Sequence, residues 1–122
     1  MQETTVRKPG AIKGMESIAL EVSDFDRAVG FYRDILGLEV EVFAPGHFAQ
    51  IPSVNISLLG VGRRVSSKGF HLELVVDDVD AWHERLKEQG ATVTSSPKDQ
   101  PWGTRDFYLK DPDGHLLEIT SG

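Results

Sequence analysis

Apolar and polar positions alternate at Ser17-Ile18-Ala19-Leu20-Glu21-Val22, which predicts a strand with one buried face. Ser23-Asp24 then supplies a helix N-cap, and Asp26 adds negative charge to the first turn. Phe25, Ala28, Val29, Tyr32, Ile35 and Leu36 follow at helical spacing, with Gly37 as the stop. Further strands are expected at 39–43, 47–51 and 53–59, the last with Val54, Ile56 and Leu58 alternating against Ser53, Asn55 and Ser57. Residues 60–69, rich in Gly, Ser and Arg, read as a linker.

The second half repeats the first. Leu72, Leu74 and Val76 fall on Ile18, Leu20 and Val22, and Asp78 and Asp80 on Asp24 and Asp26, all at one constant offset. Asp78 caps a helix carrying Val79, Trp82 and Leu86, which ends at Gly90. A strand near 91–95 and a loop at 96–103 lead to a hairpin centred on Asp111-Pro112-Asp113-Gly114. Proline presets φ in such a turn, Asp bonds its own backbone, and Gly takes φ > 0. With Lys110 and His115 closing the turn, Phe107 faces Glu118, Leu109 faces Leu116 and Arg105 faces Thr120.

The expected organisation is an arm at 1–13 and one domain at 14–122. Module 1 spans about 15–60, the linker 60–69, and module 2 about 70–121. Each module is a strand–helix–strand–strand–strand unit. Period two puts Ile18, Leu20, Val22, Leu72, Leu74, Val76, Leu117 and Ile119 behind the sheets, under the helices. Ser17, Glu21, Ser57, His71, Glu73, Phe107, Glu118 and Thr120 are then expected on the opposite, concave front. A mid-strand carboxylate such as Glu118 is costly to bury alone, so its face meets water or lines a site.

Composition narrows the chemistry. The chain has 122 residues, 39% hydrophobic and 26% charged, with a net charge of −6. That balance supplies no basic field for nucleic acid. With no cysteine, disulfides, thiol nucleophiles and thiolate metal sites are excluded. No apolar run is long enough to span a membrane, and a cytoplasmic protein is expected.

The chain resembles the vicinal oxygen chelate superfamily, which includes glyoxalase I, bleomycin-resistance proteins, fosfomycin-resistance transferases and extradiol dioxygenases. The likeness is carried by Ala19 to Asp24, Phe31 to Leu38, His71 to Asp78, and Trp102 to Ile119. It implies an α+β fold in which two βαβββ modules form an open mixed β-barrel around a central cavity. In metal-dependent members the ligand positions correspond here to Ser17, Ser57, His71 and Glu118. Two are serines, which are poor ligands for a transition metal. His71 and Glu118 alone make an incomplete metal site, for which Glu73 is a substitute third ligand.

Two functions follow from the resemblance. The first is a small-molecule-binding protein without a complete metal site or cofactor, of the bleomycin-resistance kind. Ser17, Glu21, Ser57, Glu73, Trp102, Arg105 and Phe107 are its candidate binding residues. The second is a lyase or dioxygenase dependent on a divalent Zn, Ni, Mn or Fe ion, with His71 and Glu118 as catalytic candidates. Either is expected to act as a homodimer on a small molecule, without nucleic acid or membrane. His47, His83 and His115 are read as structural or exposed, and Trp82 as core. The run Gly60-Val61-Gly62 lacks the third glycine of a nucleotide fingerprint, and there is no Gly-x-Ser-x-Gly elbow.

Overall fold

A computed structural model describes residues 8–122; the first seven residues of the expected arm lie outside them. Strand β1 (Ile18–Val22) leads into α1 (Phe25–Gly30), capped by the Asp24 carboxylate, which accepts the Arg27 N–H. The helical path continues as a π-turn over Phe31–Ile35, and Gly37 ends it at φ 71°. The wider turn leaves Phe31, Tyr32 and Leu36 all buried. β2 (Glu41–Ala44), β3 (Phe48–Ile51) and β4 (Ile56–Gly60) complete the first module. The strand expected from residue 53 starts later. Pro52–Val54 forms a 3₁₀ turn, and Asn55 adopts a left-handed φ of 55°.

The second module repeats the plan with β5 (Leu72–Val75), α2 (Val79–Glu88), β6 (Thr92–Val93), β7 (Lys98–Asp99), β8 (Arg105–Lys110) and β9 (Leu116–Thr120). Asp78 caps α2 through the Ala81 N–H, as Asp24 caps α1. The short β7 lies inside the stretch expected to be loop. Each module forms its own mixed sheet, in the orders β1-β4-β3-β2 and β5-β9-β8-β6, with β7 on β8. In both, the first strand pairs in parallel with the last. The fold is α+β, and the sheets curl without closing, leaving β1 and β5 as edge strands.

The hairpin departs from the expected register. Asp111 N–H donates to the His115 carbonyl at 3.0 Å, so the loop is only Pro112-Asp113-Gly114. Gly114 sits at φ 86°, the left-handed residue that such three-residue loops require. The register is therefore one residue from expectation: Phe107 faces Ile119, Tyr108 faces Glu118, and Leu109 faces Leu117. A one-residue slip exchanges faces. Phe107 accordingly lies fully buried in the core beside Leu109, Leu117 and Ile119, not on the front. Its ring meets the edge of His83 at 5.0 Å between centroids.

The same hairpin joins the modules. Asp113 accepts from Ser23 Oγ at 2.6 Å, and Tyr32 donates its hydroxyl to Asp111 at 2.8 Å. His115 Nε2 donates to the Glu21 carbonyl at 2.8 Å. Burial pushes the Asp111 carboxyl up against these donors, and it pushes the Tyr32 phenol well up as well. Ser23, Glu21 and Tyr32 belong to the first module, so the turn holds the β1–α1 corner against the second sheet.

Candidate metal centre

On the front of the second sheet, parallel and antiparallel pairing align Glu73, Glu118 and Tyr108 in one cross-strand row. His71 lies two residues before Glu73 and so shares its face. His71 Nε2 stands 3.1 Å from Glu73 Oε2 and 3.1 Å from Glu118 Oε1. One ligand atom from each of the three lies within 4.8 Å of the other two. Glu118 is nearly enclosed, with its side chain 10% exposed, whereas Glu73 is open at 62%. The Tyr108 hydroxyl donates to Glu118 Oε1 at 2.9 Å, and its ring meets His71 edge-on at 5.5 Å. That hydrogen bond, with some burial, pushes the Tyr108 phenol up to about 12.

Two carboxylates converge on one imidazole, which stands between them at 3.1 Å from each. The set fits a divalent transition ion: imidazole and carboxylate are the donors such ions take, and three protein ligands leave an exchangeable position. Tyr108 holds the Glu118 carboxylate in place, as an orienting partner would if that carboxylate were a ligand. Sequence reasoning missed it, because the expected register put Phe107 opposite Glu118. The correct loop length would have found it.

The remaining candidates are dispersed. Ser17 and Ser57 hydrogen-bond each other at 2.8 Å, in a hollow lined only by first-module residues such as Glu16, Gln50 and Pro52. Glu21 is exposed and meets Arg63 at 3.3 Å. Arg105 turns toward α2 and β7, where Asp80 at 2.9 Å and Asp99 at 3.1 Å hold it and push its guanidinium further up. It does not face the cluster. Trp102 stands in the loop before β8, 74% exposed and outside the core. Trp82 is only partly buried, under Arg85. Asp106 is buried and accepts from Gln100 Nε2 at 2.9 Å.

Paired βαβββ modules, each curling a mixed sheet under one helix, define a class of small α+β proteins. The sequence model of the Glyoxalase/Bleomycin resistance protein/Dioxygenase superfamily matches residues 14–119, and the chain belongs to that superfamily. Uncharacterised protein YraH of Bacillus subtilis is 30% identical over 84% of this chain and 93% of its own length. The metallothiol transferase FosB of Shouchella clausii is 27% identical over 91% and 82%. A crystal structure of lactoylglutathione lyase from Agrobacterium tumefaciens superposes with a TM-score of 0.69 at 25% identity, covering 90% of this chain and 94% of that one. No helix among the described residues is long and apolar enough to cross a membrane.

Proposed function

We propose that this chain binds an oxygen-bearing small molecule at the front of its second module, through a divalent cation held by His71, Glu73 and Glu118. The observation that carries the reading is the convergence of those three donors within 4.8 Å. It replaces the metal-free reading as first choice, because Glu73 supplies the third ligand that the two serines do not. Held by these residues, a divalent ion would supply Lewis-acid polarisation of a ligand oxygen. Tyr108 fixes the Glu118 carboxylate, and the more exposed Glu73 carboxylate closes the set from the open side, beside His71 at 3.1 Å. Similarity to a metallothiol transferase and to a lactoylglutathione lyase supports a metal-assisted lyase or transferase in place of a dioxygenase.

The proposal keeps the homodimer. Val42, Phe43 and Leu59 are exposed on the first sheet, uncovered by any of the described residues. Calorimetric titration of chelator-treated protein with Mn²⁺, Zn²⁺ and Ni²⁺ tests the reading. One equivalent is expected to bind at least one of these ions. Glu118→Gln is expected to weaken that binding by about 10- to 100-fold, because a neutral amide replaces a charged ligand. Heat from none of the three ions would leave only metal-free binding, with His71 as the carboxylates' ordinary ion-pair partner.

A further inference from the structure

A cleft of about 300 Å³ lies between α1 and the paired strands β6 and β8, where the two modules meet. Phe31, Ile35, Ala91 and Pro112 make its apolar wall, and Arg27 of the first module and Lys110 of the second its charged part. The wall is fixed. Phe31 is 6% exposed and meets Tyr32 edge-on at 5.0 Å between ring centroids, and the Tyr32 hydroxyl is bound to Asp111. The cleft is therefore shaped before anything enters it, and its volume is at the small end of those that hold small molecules.

The charges around it are unevenly spent. Among the described residues, Arg33, Arg63 and Arg105 are ion-paired and Arg85 lies over the Trp82 ring, whereas Arg27 and Lys110 enter no such pair. The neighbouring acids are engaged elsewhere. Asp111 lines the cleft but is 5% exposed; one oxygen accepts from Tyr32 and the other from the Asp113 and His115 amides. Asp34, beside Gly30, is held by Arg33. α2 ends at the same cleft, and its last carbonyls are spent too: Arg85, Leu86 and Lys87 accept from the Gln89, Ala91 and Gly90 amides. Acids outnumber bases 19 to 13 in this chain. Two bases from different modules that share an opening, with its acid turned inward, point to an anion from outside.

We propose that this cleft is a second ligand site and takes a phosphate monoester with a small apolar body. Two cations match the two negative charges such a phosphate approaches near neutral pH. Arg27 donates to it with a planar fork, and Lys110 binds it as a point charge. The apolar body lies against Phe31, Ile35 and Pro112. Because the two cations belong to different modules, the bound phosphate ties α1 to β8, beside the hairpin that already joins them. The site shares no residue with His71, Glu73 and Glu118 and needs no metal ion.

The test titrates chelator-treated, dialysed protein with phenyl phosphate, inorganic phosphate and benzoate, followed in an amide-resolved NMR spectrum. The unaltered chain is compared with Arg27→Gln, Lys110→Gln and Arg64→Gln, and each spectrum also reports whether the variant is folded. Phenyl phosphate is expected to give saturable shifts at Gly30, Phe31, Ala91, Thr92 and Lys110. It should bind at least about fivefold more tightly than inorganic phosphate, which lacks the apolar body, or benzoate, which carries one charge. Arg27→Gln and Lys110→Gln are each expected to weaken it at least about tenfold, the loss of one charge-assisted hydrogen bond. Arg64→Gln removes the same charge from the linker and is expected to leave binding unchanged. No saturable shift at these amides, or shifts centred on His71 and Glu118, would overturn the site. Equal weakening by all three variants would show general charge attraction and overturn it as well. Benzoate or inorganic phosphate binding as tightly as phenyl phosphate would overturn the ligand class. None of these results bears on divalent-ion binding at His71, Glu73 and Glu118.

Discussion

The two modules carry different chemistry at the same backbone positions. In the first, β1 and β4 pair Ala19 with Ser57, and β3 adds Gln50 to the row. In the second, β5 and β9 pair Glu73 with Glu118, and β8 adds Tyr108. Ser17 and His71 stand at matching places one step earlier. Behind the row, Ala49 of the first module matches Phe107 of the second. The first row is small and neutral, and its hydroxyls are spent on each other. The second is charged and crowded around an imidazole. A repeated fold thus provides two equivalent platforms, and only the side chains decide which one can hold a cation.

The comparison breaks most completely if the second row is rewritten as the first. His71→Ser, Glu73→Ala and Glu118→Ser together are expected to abolish divalent-ion binding, read by calorimetry, while far-UV circular dichroism stays unchanged. Rewriting the position behind the row costs stability. Phe107→Ala, which copies Ala49, is expected to lose about 3–5 kcal/mol in urea unfolding, because the enclosed site cannot collapse around the missing ring. Its effect on cation affinity in the folded protein should be small by comparison.

Tyr108→Gln, which copies Gln50, sharpens the contrast at lower cost. Removing the donor to Glu118 is expected to weaken cation binding by about tenfold. The same contact has a signature in the phenolate absorbance. The chain has two tyrosines, and both are held above the ordinary range, Tyr108 at about 12. Little phenolate is expected near pH 10, and Glu118→Gln should return Tyr108 toward that value. The folded state holds this proton more tightly than the unfolded chain. Its stabilising contribution is therefore complete below about pH 10 and is lost as pH rises through 12.

How much of this was legible in the sequence follows from where the signals are strong. The repeat of Ile18, Leu20, Val22, Asp24 and Asp26 onto Leu72, Leu74, Val76, Asp78 and Asp80 located both first strands and both helix caps. Glu118 and His71 were placed on one face by alternation, and they lie together. Phe107 and Tyr108 were exchanged because Asp111-Pro112-Asp113-Gly114 accommodates a three-residue or a four-residue loop. That choice rests on where Gly114 takes its left-handed φ, which composition does not state. Arg105 was assigned to the front for the same reason, and its partners Asp80 and Asp99 come from a helix and a short strand that no local pattern connects. The resemblance implied a cavity but not its lining: Leu36, Leu38 and Val54 of one module meet Leu74, Val76 and Trp82 of the other in a cleft beside β5 that no local pattern connects.

The most direct measurement is paramagnetic broadening by Mn²⁺ in an amide-resolved NMR spectrum. At substoichiometric Mn²⁺, the amides of His71, Glu73, Tyr108 and Glu118 are expected to broaden first, while those of Ser17, Ala19, Gln50 and Ser57 keep their intensity. Broadening centred on the serine row, or spread evenly over the acidic surface, would contradict the assignment of the cation to the second module.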